Sequence, residues 1–166
     1  MTAQLRTKTM CPLATSTTKS ERVQGAKTFA TLRFAGDALE PERISGLLGI
    51  QPTHAYRKGQ LFSPGPRSPQ RLGRTGVWYL ATDHLVTSND LAEHLRFLAN
   101  LLHPESENAR GRLGRLRDLI GAERLEAHVT CFWHGPSGAR EPGIPPEIAA
   151  LFQWLPADLE KDFATD

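Results

Sequence analysis

The chain contains few of the residues on which disulfide-stabilised domains and many metal centres depend. Its 166 residues include only two cysteines, Cys11 and Cys131, which are too few for a disulfide framework or a cysteine-rich metal site. No apolar run approaches the roughly 18 residues that a membrane helix needs, and the N-terminus lacks the apolar centre of a secretory signal. These absences predict a cytoplasmic protein that has no membrane span, and nothing in the sequence indicates a cofactor or metal.

Acidic residues are missing from one long segment. No Asp or Glu lies between Glu42 and Asp83, although the net charge of the whole chain is only +2. The last nine residues are instead acidic, with Asp158, Glu160, Asp162 and Asp166. A small net charge gives no strong global field, so an anionic partner would have to meet a local cluster of cations.

Length and composition are typical of one globular domain. A chain of this size, with 39% hydrophobic residues, is long enough to bury a core. Residues 28–166 are predicted to form a single α+β domain. Residues 1–27 are rich in Thr and Ser and contain no acid before Glu21, which predicts a disordered N-terminal tail. A transit peptide, or a chain start at Met10, stays open as an alternative.

Hydrophobic periodicity predicts four strands and four helices. Apolar residues alternate in the strands, and they recur every three or four residues in the helices. The predicted strands are 28–34, 76–82, 124–135 and 158–164, and the predicted helices are 41–48, 90–103, 110–120 and 145–155. Strand 76–82 is apolar on both faces, so the two middle helices or a second copy of the chain in a homodimer are expected to cover it.

The order of these elements suggests two similar halves. Residues 40–52 and 144–156 share a Pro and Glu at the helix start, an Ile, an apolar pair and a closing Pro. Two βαβ units in one antiparallel sheet would form a ferredoxin-like sandwich, with the helical hairpin inserted between the halves. Chance similarity of two short amphipathic helices is the alternative.

Residues 51–75 have no period and contain four prolines, so they are predicted to form a long basic loop. Its five cations, one aromatic residue and one glycine make up the first candidate binding site, for an acidic protein or a phosphate-bearing ligand: Tyr56, Arg57, Lys58, Gly59, Arg67, Arg71 and Arg74. A flexible solubilising loop is the alternative. Nucleic acid is a less favoured partner, because only Tyr56 and Phe62 are available there to stack on bases.

A second candidate site lies on the polar face of the predicted sheet. Strand parity places a histidine with carboxylates and an arginine on neighbouring strands, which is equipment for acid–base catalysis in a small enzyme: Arg33, Glu126, His128 and Glu160. No catalytic set is complete, however. His128 and His134 would lie ~20 Å apart, too far to share a metal, and Cys131 is predicted to point into the core. The sequence therefore favours a non-enzymatic binding or interaction module, with a regulatory or immunity-type role as one option.

Four segments together resemble a known family. LEPERISGLLGIQPTHAYRKGQ, VWYL, DLAEHLRFLANLL and LPADLEKDF are similar to the bacterial family called domain of unknown function 4279. The resemblance covers residues 28–164 and is most specific at Tyr56–Gly59, although Tyr56 and Gln60 stand where the family pattern favours Trp and an acid. It implies a small cytosolic domain and no particular activity.

Overall fold

The computed structural model describes residues 27–102 and 109–166. The predicted N-terminal tail lies outside these residues, except for Lys27. Within them the chain is an α+β domain, as predicted, with these elements: β1 (Lys27–Gly36), α1 (Pro41–Leu48), β2 (His54–Tyr56), β3 (Leu61–Phe62), β4 (Arg71–Leu72), β5 (Gly76–Ala81), α2 (Leu91–Leu102), α3 (Ala109–Glu123), β6 (Glu126–Gly135), α4 (Pro146–Trp154) and β7 (Ala157–Thr165).

Five of the strands form one sheet in the order β2-β5-β1-β6-β7. Neighbouring strands are antiparallel except for β6 and β7, which are parallel. Strands β3 and β4 form a separate antiparallel ribbon. Because β2 and β1 both pair antiparallel with β5, they run parallel to each other with β5 between them.

This order corrects the predicted assignment of the two βαβ units. Strand β5, predicted to close the first unit, runs antiparallel to β1. The strand that follows α1 parallel to β1 is β2, which lies in the segment predicted as a loop. Strands of two or three residues are too short to show an alternating pattern, so β2, β3 and β4 carry no periodic signal. Helices α1 and α4 each connect two parallel strands, but β5 lies between β1 and β2, whereas β6 and β7 are adjacent.

Helix α1 begins and ends where the sequence predicts, and α3 ends slightly later than predicted. Pro41 occupies the first turn of α1, where a missing N–H costs nothing. Gly49 ends the helix with φ at 71°, and its N–H donates to the carbonyl of Ser45 at 2.8 Å. Helix α3 was expected to end at Gly121 but continues to Glu123, and Arg124 beyond it adopts a positive φ of 52°.

The core lies between the helices and one face of the sheet. All four helices contribute buried side chains to it, and Trp78 and Leu80 of β5 are buried there as expected. The Trp78 indole N–H donates to the Ser45 hydroxyl at 3.0 Å, which satisfies the one polar atom of this side chain. Among the described helices, none is long and apolar enough to cross a membrane.

Candidate functional site

The side chains that point away from the helices form the second face of the sheet, here called the open face. Strand register assigns alternate residues of all five strands to it. They are His54, Tyr56, Val77, Tyr79, Ala81, Lys27, Phe29, Thr31, Arg33, Ala35, Glu126, His128, Thr130, Phe132, His134, Asp158, Glu160, Asp162 and Ala164.

One row of polar residues crosses the whole open face. His54 pairs with Tyr79, Tyr79 with Arg33, Arg33 with His128, and His128 with Asp158, one residue on each strand. Neighbouring strands lie about 4.8 Å apart, so the side chains of this row are adjacent. Arg33 at its centre separates an aromatic end from an acidic end.

The segment 57–74 folds over the aromatic end of this row. Gly59 adopts a φ of 79°, its N–H donates to the carbonyl of Gly73 at 2.8 Å, and the Gly73 N–H donates to the carbonyl of Gln60 at 2.9 Å. These bonds close a hairpin that brings Phe62 onto Tyr56, with ring centroids 3.9 Å apart and planes 7° apart. A Cβ at Gly73 would lie 2.8 Å from the Tyr56 ring, so only glycine leaves room for the ring there.

Three arginines line an open cavity beside this aromatic pair. The cavity has a volume of about 730 Å³, and its wall includes Arg33 of β1, Arg71 of β4 and Arg74, together with Tyr56 and Phe62. None of the three guanidinium groups forms a salt bridge with any residue that the structure describes. The hairpin and β1 therefore place three cations without a salt-bridge partner among the described residues around one concave surface.

The two cations at the start of the predicted loop are placed differently. Arg57 donates to the Glu42 carboxylate on α1 at 2.9 Å, and Lys58 donates to the carboxylate of Asp37. The hydrogen bond from Arg57 lowers the pKa of Glu42, and the bond from Lys58 lowers the pKa of Asp37. These pairs connect the start of the hairpin to α1 and to the residue that follows β1.

The Gln60 side chain supports the same corner. Its Oε1 accepts a hydrogen bond from the Arg57 backbone N–H at 3.0 Å, and the backbone N–H of Gln60 donates to the Arg57 carbonyl at 3.1 Å. A carboxylate oxygen at this position would accept the same bond. The segment Tyr56–Gly59 that carries the family resemblance is thus the base of the hairpin.

At its other end the open face is acidic. Carboxylate oxygens of Glu126, Asp158 and Glu160 lie 3.7, 3.8 and 3.7 Å from the ring nitrogens of His128. These distances exceed hydrogen-bond range, so the histidine is surrounded by carboxylates that do not orient it. In the described residues no group of His, Cys, Asp and Glu is arranged to hold a metal ion.

Cys131 lies on the opposite face of β6 and is fully buried. Burial raises the pKa of its thiol to about 11, so the thiolate that nucleophilic chemistry requires is scarce at neutral pH. The predicted core position of this residue is confirmed.

The segments that carry the family resemblance all belong to this domain: they form α1, the hairpin base, β5, α2 and β7. The chain belongs to the family Domain of unknown function (DUF4279), whose model matches residues 26–165. The suspected family is confirmed. The chain matches no curated protein and no solved structure.

The structure divides the predicted site residues of this DUF4279 member into separate groups. Arg71 and Arg74 line the arginine cavity with Tyr56, whereas Arg67 is exposed and lies outside that cavity. The second predicted set, Arg33, Glu126, His128 and Glu160, shares the open face, and Arg33 joins the arginine cavity.

Sequence reasoning missed three residues of the cross-sheet row, His54, Tyr79 and Asp158. The parity of Tyr79 in β5 was visible, but the three-residue strand that carries His54 was not. Burial raises the pKa of Tyr79, and the Thr31 side chain lowers it by a smaller amount. Tyr79 therefore offers the open face a neutral hydroxyl at physiological pH.

Proposed function

We propose that the protein is a non-enzymatic binding module of the bacterial cytoplasm, which recognises an anionic group through Arg33, Arg71 and Arg74. The observation that carries this proposal is the contrast between the cations of one segment. Arg57 and Lys58 are used in internal ion pairs, whereas the three cavity arginines have no such partner among the described residues.

The chemistry of arginine supports an anion as the ligand. A guanidinium group presents planar N–H donors that fit the oxygens of a carboxylate or a phosphate, and such charge-assisted bonds are the stronger ones in proteins. An anion in this cavity would meet three cations without breaking an existing pair. Binding at Arg57 or Lys58 would first have to displace Glu42 or Asp37.

The strand order of the sheet supports a known fold type as the framework of this site. We propose that β1, α1, β2, β5, the α2–α3 hairpin and β6 correspond to a ferredoxin-like sandwich, to which α4 and β7 add one parallel strand. The order β2-β5-β1-β6 and the directions of these four strands support this assignment. Three of the cavity elements, β1, β2 and β5, then belong to the sandwich itself.

The test is a calorimetric titration of inorganic phosphate at low salt. We expect the double variant Arg71→Ala with Arg74→Ala to lower the affinity by about tenfold or more, because each charge-assisted bond contributes roughly 1.5–3 kcal/mol. The matched control is Arg67→Ala with Arg140→Ala, which removes the same charge from exposed positions outside the cavity.

The control variant distinguishes binding in the arginine cavity from a general effect of lowering the positive charge of the protein. If both double variants weaken phosphate binding equally, the cavity is not the site, and if the unmodified protein does not bind phosphate at all, the proposal fails. A single-stranded oligonucleotide provides the nucleic-acid comparison: affinity that falls steeply with salt, with equal loss in both variants, would indicate a nonspecific nucleic-acid binder instead.

A further inference from the structure

A second cavity adjoins the arginine cavity and has a different chemistry. Its volume is about 600 Å³, within the range of small-molecule sites. Tyr56, Phe62 and Val77 line both cavities, so the stacked aromatic pair stands where they meet. The remaining wall includes His54, Tyr79 and Leu61, and it contains no Asp, Glu, Lys or Arg.

We infer that the two cavities bind the two ends of one small ligand, a flat heteroaromatic ring that carries an anionic group, such as a nucleoside monophosphate. The ring would lie in the neutral cavity against the Tyr56–Phe62 pair, and the anion would lie among the arginines. This inference rests on the proposed function, to which it adds the identity of the ligand class.

The spacing of the strands fits a ligand of this length. His54 on β2 and Arg33 on β1 are the partners of Tyr79 on its two sides, so they are two strand spacings apart, about 10 Å. A nucleoside monophosphate can extend from one to the other, whereas a free phosphate fills only the arginine end. The wall residue Phe62 and its register partner Arg71 project from the same ribbon, which places ring and anion contacts on one element.

The neutral cavity offers the two kinds of contact that a heteroaromatic ring uses. The Tyr56 and Phe62 rings are already stacked in parallel, so little conformational entropy is lost when a further ring packs on them. The Tyr79 hydroxyl and the His54 imidazole, whose rings lie 6.3 Å apart, supply a donor and an acceptor for the ring edge.

The experiment compares adenosine 5′-monophosphate with its two parts, inorganic phosphate and adenosine, by calorimetry on the full chain. We expect the monophosphate to bind at least about tenfold more tightly than phosphate, because stacking of one base on an aromatic side chain adds binding free energy of this size. Phe62→Leu should bring the ratio of the two affinities towards one, because it removes the ring on which the base would stack. Arg71→Ala with Arg74→Ala should weaken both ligands.

A matched aromatic control is present on the same face. Phe29 and Phe132 also stack, with centroids 4.4 Å apart, but they line neither cavity. Phe29→Leu should therefore leave both affinities unchanged. If Phe62→Leu lowers the thermal stability strongly, Tyr56→Leu provides the same test from the sheet side of the pair.

The possible results separate this inference from the proposed function. If the monophosphate binds no more tightly than phosphate while the arginine variants still weaken phosphate, the ligand assignment is wrong and the anion site stands. If phosphate does not bind, the anion site itself is wrong. A further outcome is that a pentamer of deoxyadenosine nucleotides binds much more tightly than the monophosphate, with an affinity that falls steeply with salt. That result would overturn the inference and identify single-stranded nucleic acid as the ligand.

Discussion

The two faces of the central sheet share every strand but differ in what packs against them. On the covered face, residues such as Leu32 and Phe34 of β1 are completely buried under the helices. On the open face, Arg33 from the same strand lies in a row of titratable groups. Because successive side chains of a strand point to opposite faces, alternate residues of one segment supply the buried core and the polar row.

The open face itself is divided. Its aromatic end is covered by a hairpin that carries arginines, and its other end holds His128 among three carboxylates. An anionic ligand is attracted to the first end and repelled by the second, which gives the face an orientation. The covered face has no such polarity, since apolar burial is non-directional.

The largest expected effect contrasts two neighbouring residues on β1. Phe34 is fully buried against Trp78, with ring centroids 5.8 Å apart, so Phe34→Ala should lower the free energy of unfolding by about 3–5 kcal/mol. Arg33→Ala should change it by only about 0.5 kcal/mol but should weaken phosphate binding. Urea denaturation and phosphate titration of both variants check this. Equal destabilisation by Arg33→Ala would show that the two faces are not separable.

An intermediate effect is expected at His94, which is the one buried histidine among the described residues. His94 is completely buried among the core residues of α2. Its Nε2 lies 2.8 Å from the Ser88 carbonyl oxygen and its Nδ1 lies 2.7 Å from the Thr82 hydroxyl. The carbonyl can only accept, so Nε2 carries a hydrogen and donates to it.

Replacement of His94 by phenylalanine tests how much its hydrogen bonds contribute to the free energy of unfolding. His94→Phe keeps the ring but leaves the Ser88 carbonyl without its partner, so the free energy of unfolding should fall by about 1–3 kcal/mol. Thermal and urea denaturation measure it. His84→Phe is the control, because the His84 side chain is 85% exposed; a loss of the same size there would mean that the buried hydrogen bonds are not responsible.

Much of the fold could be predicted from local pattern. The alternation in β1 and β6, the Pro41 start and the Gly49 stop of α1 all depend on neighbouring residues, and the structure has each of them close to the predicted place. The strand order could not be obtained in this way. It depends on β2, three residues long, taking the edge position beside β5, and a pairing between distant segments has no local signal.

The candidate site was predictable only in part, for a related reason. The acid-free segment pointed to Arg71 and Arg74, and strand parity placed Arg33 and His128 on one face. The sequence did not show which cations are already paired. Arg57 and Glu42 are 15 residues apart and Lys58 and Asp37 are 21 apart, so these ion pairs form only once α1 has folded back against the hairpin base.

The smallest expected effect tests this distinction between paired and unpaired cations. Lys58→Ala removes the partner of Asp37, whose pKa in the folded protein lies below its ordinary value of 3.8. A lowered carboxyl pKa stabilises the fold at pH values above the unfolded pKa, and this contribution disappears as the pH falls through the folded pKa. The variant should therefore have a slightly lower urea midpoint than the unmodified protein at neutral pH, and the same midpoint once the pH is low enough to protonate Asp37 in the folded protein. The effect should be small, since both groups are exposed.

Two controls complete this measurement. Arg67→Ala removes a cation that has no ion-pair partner in the described part of the chain, so it should not reproduce the loss at neutral pH. Phosphate affinity should be unchanged in Lys58→Ala, because the amine is occupied by Asp37. A large loss of phosphate binding in this variant would assign the anion to the hairpin base rather than to the three cavity arginines.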